Sequence, residues 1–177
     1  MKTILFSSLG FILLTSVTHA RDLTYKFGAG YRQAYTNSLV NKDTRAVTDK
    51  QMNGLEFTYG IAKDMQIGAF FGTTGNMNAS LLGPKFRYNI ERLFSRDETV
   101  WKHLNIFAEL AFLAKLGKEI KSGITLHAPY LGFEVFPFSE NNFSILTAAG
   151  ASIDFGTQNR IGFTQGMFGD VGVKYYF

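Results

Sequence analysis

The chain closes on Phe168-Gly169-Asp170-Val171-Gly172-Val173-Lys174-Tyr175-Tyr176-Phe177. Read as an extended strand, it places Gly169, Val171, Val173, Tyr175 and Phe177 on one face. Phe168, Asp170, Gly172, Lys174 and Tyr176 take the other. An uninterrupted apolar face backed by charge and glycine is what a strand needs when lipid lies on one side and a polar interior on the other. Within hydrocarbon every backbone N–H and C=O must be satisfied by the protein itself, so such strands close into a barrel.

Working back from that end, seven further segments alternate in the same way: residues 23–32, 54–62, 65–73, 82–90, 103–114, 126–136 and 143–155. Each has the length, about 9–12 residues, that crosses a bilayer at a tilt. The fold class expected is therefore all-β: an eight-stranded antiparallel up-and-down transmembrane β-barrel. Leu23, Tyr25 and Phe27 point outward in the first strand, with Lys26 and Arg32 inward. The sixth strand is the least regular; its best register sends Pro129, Leu131 and Phe133 out, Tyr130, Gly132 and Glu134 in, and leaves His127 on the outer face. A soluble β-sandwich or lipocalin-like barrel is the alternative architecture, but it would enclose its apolar face rather than rim it with aromatics.

The opposite end of the sequence fits export. Met1-Lys2 is positive, residues 4–14 are apolar but too few to span a bilayer as a helix, and Thr18-His19-Ala20 supplies small residues for cleavage. Residues 1–20 read as a secretory signal peptide cut between Ala20 and Arg21, and residues 21–177 as one barrel domain. With both termini periplasmic, residues 62–64 and 139–142 are short inner turns and 34–51 a long outer loop. Residues 91–102, with Trp101, form an unusually long inner connection.

Composition removes several chemistries. The chain has no Cys, which excludes a disulfide framework, thiolate metal sites and a cysteine nucleophile. Its net charge of +4 is not gathered into a basic patch with interleaved aromatics, so nucleic acid is not an expected partner. No metal cluster, phosphate-binding glycine loop or catalytic triad is visible, and no cofactor is expected. Lys115, Lys118 and Lys121 gather in one outer loop, where they would meet lipopolysaccharide phosphates or simply solvent.

The inward face concentrates the charge. Lys26, Arg32, Lys85, Arg87 and Lys174 stand against Glu56, Glu109, Glu134, Asp154 and Asp170. An eight-stranded barrel has room for little more than its own side chains, so these groups must pair. Glu109 with Arg87 or Lys85 on the adjacent strand is the expected contact.

Three stretches, Val171 to Phe177, Leu82-Gly83-Pro84-Lys85-Phe86-Arg87-Tyr88 and Gly132-Phe133-Glu134-Val135-Phe136, make the chain resemble the small eight-stranded outer-membrane proteins of the OmpA, OmpX and OmpW-like barrel superfamily. The resemblance covers nearly all of residues 21–177. It implies residence in the outer membrane, contact with its lipid and lipopolysaccharide, a monomer, and recognition of Tyr175 and Phe177 by the barrel-assembly machinery. It further implies a structural or surface-interaction role or, as in the OmpW-like branch, a narrow porin or carrier. Lipid A-modifying enzymes resemble this architecture too, but set a His and a Ser close together on the lipid-facing wall. Here Pro129 follows His127 where a same-face hydroxyl is wanted, Ser144 and Ser152 point inward, and His103 lies at the opposite rim. No enzymatic activity is expected.

Overall fold

A computed structural model of the chain describes residues 22–40, 47–90, 103–118, 120, 122–138, 142–156 and 163–177. It contains β1 (Phe27–Val40), β2 (Val47–Ala62), β3 (Met65–Thr73), β4 (Ala79–Asn89), β5 (Leu104–Gly117), β6 (Gly123–Val135), β7 (Phe143–Gly156) and β8 (Phe163–Tyr176). Each strand pairs antiparallel with the next, and β8 pairs back to β1, so the sheet closes on itself. Closure leaves no edge strand with unpaired backbone groups. The Phe177 N–H donates to the Phe27 carbonyl at 2.8 Å, so the first strand and the last residue meet at one end, the near end.

The alternation seen in the sequence becomes a division of surfaces. Phe57, Tyr59, Ile67, Phe71, Leu131, Phe133, Val173 and Tyr175 all stand exposed on the outer wall. Their neighbours one residue away, including Glu56, Thr58, Gln66, Phe70, Tyr130, Glu134 and Lys174, are buried inside. The expected 65–73 strand appears as read, and the turn expected at residues 62–64 is made by Lys63 and Asp64, Ala62 being the last residue of β2. Residues 34–51, expected to form a loop, are instead largely strand: β1 runs on to Val40 and β2 begins at Val47. The 91–102 connection, the 139–141 part of the inner turn and the signal segment lie outside the described residues.

Two further expectations are corrected. His127 faces the interior and is 2% exposed. The cause is a bulge: His127 pairs with Ala111 and Tyr130 with Glu109, so Ala128 and Pro129 together oppose the single residue Leu110. One added residue reverses the facing of everything beyond it. Leu23 is likewise inside rather than on the wall. The chain before β1 folds across the near end, where Lys26 N–H donates to the Leu23 carbonyl at 3.0 Å and Tyr25 N–H to the Gly60 carbonyl at 2.8 Å. The reversal is made at Tyr25, whose φ of 60° lies in the left-handed region that non-glycine residues seldom enter. Gly60 permits it, since a Cβ there would collide with the Leu23 carbonyl.

Three layers fill the lumen. Leu23, Phe136 and Tyr176 form an apolar cluster at the near end. Charged side chains occupy the middle. Beyond them Ala34, Met52, Phe70, Leu81 and Leu113 make an apolar cluster that Ile120 joins from the β5–β6 connection.

Candidate functional site

The charged layer draws on strands from all around the barrel: Arg32 on β1, Glu56 on β2, Lys85 and Arg87 on β4, Glu109 on β5, Glu134 on β6, and Asp170 and Lys174 on β8. All are between 0% and 7% exposed. Their inward placement follows from parity alone, since each is flanked in sequence by wall residues. Glycines make the space: a Cβ at Gly172 would lie 2.5 Å from the Tyr31 carbonyl oxygen and 2.9 Å from Arg32 Cγ, so a larger residue there would press on the β1 backbone and on the stem of Arg32.

Glu56 is the hub. Its Oε2 accepts from Lys85 Nζ at 2.6 Å, its Oε1 lies 3.5 Å from Arg87 Nη2, and it pairs also with Arg32 Nε and Lys174 Nζ. Glu109 receives Lys85 Nζ at 2.8 Å, Arg87 Nε at 3.2 Å and Arg32 Nη2 at 3.3 Å. Arg32 Nη1 reaches Asp170 Oδ2 at 2.7 Å, and Arg87 Nη1 reaches Glu134 Oε2 at 3.1 Å. The remaining oxygen of Glu134 accepts from the hydroxyls of Ser144 at 2.7 Å and Tyr176 at 2.9 Å. The Arg87 guanidinium also stacks on Phe107, 3.8 Å from the ring centroid, an added attraction between cation and ring face.

These groups are four cations and four carboxylates, so the layer is neutral as a set. A buried charge survives only when its partners replace the water it has lost. Here each charged group has at least one partner of opposite sign, and Glu56 has four.

Of the other residues singled out in the sequence, Lys26 belongs to the segment before β1, is half-exposed and stands apart from the ionic layer. The Asp154 backbone pairs with Thr125 and Thr164, while its side chain is outside the described set. Lys115 is not a loop residue: it lies on β5 and is 2% exposed, because the strand runs to Gly117 and the inward parity reaches that far. It therefore faces the lumen rather than the surrounding lipid. Lys118 is exposed, its N–H donating to the Asn78 carbonyl at 3.0 Å. Lys121, Ala20 and Arg21 fall outside the described residues. Tyr175 and Phe177 are exposed side by side on the wall, their rings edge-on at 5.0 Å. His103 is buried at the near end, with Nδ1 3.0 Å from the Phe136 carbonyl.

His127 now stands directly across from Ser152 on β7, both inside the barrel. The lipid-facing His and Ser of a lipid-modifying wall site is therefore not formed by this pair. Among the described residues no group of three or more His, Asp or Glu side chains is placed to hold a metal ion. Sequence reading missed Ser144 and Tyr176 as partners of Glu134. The signal was available, because both share its inward parity.

An apolar exterior around a charged interior, closed by eight meandering strands, defines the molecule as a transmembrane β-barrel. Among solved structures the chain is similar to the N-terminal β-barrel domain of OprF from Pseudomonas aeruginosa, with a TM-score of 0.55 at 11% identity over 87% of this chain and 98% of that one. It is also similar to a de novo designed transmembrane β-barrel, with a TM-score of 0.51 at 10% identity over 90% of this chain and 100% of that one. At such identities the likeness is one of fold. No protein-family model and no curated protein sequence matches the chain.

Proposed function

We propose that this is an integral outer-membrane protein whose lumen is closed by its own ion pairs, and that it serves as a structural and surface-interaction element of the cell envelope rather than as a conduit. In this reading residues 1–20 are the export signal, both termini are periplasmic, and Tyr175 and Phe177 present the end of β8 to the assembly machinery. The far end faces outward, with Lys118 at the β5–β6 connection, and Lys121 following it in sequence, available to lipopolysaccharide phosphates.

The observation that supports a closed lumen is Glu56 held between Arg32, Lys85, Arg87 and Lys174, which arrive from three strands. A solute crossing that level has to part several buried pairs at once. Breaking one by removing a partner costs roughly 3–5 kcal/mol, so spontaneous opening is rare. A side-chain-filled interior is also what the strand number allows. The inward placement of His127 supports the non-enzymatic reading.

Single-channel recording of the purified barrel in a planar bilayer tests the proposal. Electrical silence at moderate voltage is expected. Defined, reproducible conductance steps would overturn it in favour of a narrow porin.

A further inference from the structure

One stretch of the outer wall departs from the apolar pattern. Where β1 and β2 pair, Gln33 stands directly opposite Asn53 and Tyr35 opposite Gln51, all four on the outward side. Gln33 follows Phe27 by six residues along β1, and Phe27 joins Tyr175 and Phe177 in the aromatic rim of the near end. At about 3.4 Å per residue and a tilt of about 35–45°, Gln33 lies roughly 15 Å beyond that rim, inside an apolar band about 25 Å tall. Hydrocarbon offers nothing to a side-chain amide. Among the described residues neither the Gln33 nor the Gln51 amide has a hydrogen-bond partner, and Asn53 has only its Oδ1 met, by the Tyr31 hydroxyl at 2.7 Å.

The wall beside these amides is low. Across the β1–β8 seam Gln33 pairs with Val171 and Tyr35 with Gly169, and Gly169 pairs onward with Ala149 on β7. Gly169 differs from the glycines that the barrel needs for room inside. A Cβ at Gly54, Gly83, Gly150 or Gly172 would lie 2.0–2.5 Å from a neighbouring atom, whereas one at Gly169 would meet nothing nearer than the Ala148 carbonyl oxygen at 3.6 Å. Glycine weakens a strand, and where the fold's own packing does not demand it, it marks a place approached closely from outside. Gly169 and Val171, with Gln33, Tyr35 and Gln51, line a groove of about 340 Å³ on the lipid-facing side.

Two properties select the occupant. A primary amide is both donor and acceptor, so two of them satisfy each other, which an acyl chain cannot do. The face is also raised on one side of the seam, at Tyr35 and Gln51, and hollow on the other, at Gly169 and Ala149. A bump and a hollow flanking a line, with an amide beside that line, complement the same surface turned about a two-fold axis along the membrane normal. Small residues and amides are what hold membrane segments together when no hydrophobic force acts between them.

We propose that the β1–β8 seam is the interface of a homodimer within the membrane, the Gln33 amides pairing across the axis and Tyr35 of each copy seating over Gly169 of the other. The resemblance to small outer-membrane barrels implies a monomer, and the unmet amides are the reason to depart from it. The inference rests on the transmembrane placement of the wall and not on the closed lumen.

The test uses the full barrel in lipid vesicles, with a donor or an acceptor dye on Lys118→Cys, the only thiol in the chain and exposed on the β5–β6 connection, away from the seam. Energy transfer that persists as the vesicles are diluted with lipid, and falls when unlabelled barrel is added, is expected. Gln33→Leu and Gly169→Phe should each weaken the association about tenfold. Both variants should still fold, since Leu suits lipid and a side chain at 169 has open space; the gel mobility of heated and unheated samples checks this. Transfer no greater than random encounter would overturn the dimer and leave the amides to lipid. Transfer unchanged in either folded variant would put the contact elsewhere on the wall and overturn the seam equally. Conductance is not part of the readout, so the dimer and the closed-lumen reading stand or fall separately.

Discussion

The hydroxyl of Tyr176, one residue from the end of the sequence, donates to Oε1 of Glu134 at 2.9 Å. The pair joins β8 to β6 through the lumen, and Glu134 passes the connection on to Arg87. The strand that closes the barrel is thereby keyed to the charged layer. Tyr176→Phe should keep the ring packed on Phe136 while leaving a buried carboxylate short of one donor. A loss of roughly 1.5–3 kcal/mol is expected, the usual range for a hydrogen bond to a charged group. Urea titration of the refolded barrel in lipid vesicles measures it, and an unchanged midpoint would remove the keying role.

Glu56 is the most connected member of the layer, with four cationic partners. Glu56→Gln should therefore leave an uncompensated positive charge among groups buried from solvent. Its expected cost is about 3–5 kcal/mol. Adding Lys174→Met to the same chain restores neutrality and should recover part of the loss. If the double variant is no more stable than the single one, charge balance is not what Glu56 provides.

Glycine near Phe70 makes a packing prediction. A Cβ at Gly54 would approach the Phe70 ring to 2.5 Å, and one at Gly72 would meet the same ring at 2.7 Å from the other side. Gly54→Ala should cost on the order of 1–3 kcal/mol through overpacking. Combining it with Phe70→Leu, which vacates the space, should give a coupling of roughly 0.5–3 kcal/mol in the cycle. Strict additivity of the two changes would mean the ring moves aside freely.

How far the sequence reached depends on what enforces alternation. Met65–Thr73 was legible to its ends because hydrocarbon meets every second residue and short turns fix its register. β1 and β2 outrun their expected ends, since beyond the bilayer both faces of a strand tolerate polar residues and the period fades. Lys115 was misplaced for the same reason. Leu23 misled differently: with Tyr25 and Phe27 it continues the outward series, and only the reversal at Tyr25 turns it in. The charged layer was readable as a set of inward residues. Its pairings across non-adjacent strands, such as Glu56 with Lys85, depend on how the barrel closes, which local pattern does not encode.

The bulge in β6 gives the last prediction. Because Ala128 and Pro129 together face Leu110, His127 and Tyr130 both point inward although they lie three positions apart. A regular strand would place them on opposite faces. The chain has no Cys, so thiols introduced singly are unambiguous probes. In vesicles, a fluorophore on Pro129→Cys should be quenched by a lipid-phase quencher, whereas the thiol of His127→Cys should stay unlabelled in the folded barrel and react only after unfolding. Deleting Pro129 removes the added residue and should bring position 127 to the lipid-facing side, with labelling to match. If His127→Cys is labelled from the lipid phase without that deletion, the bulge is misplaced and the His returns to the wall.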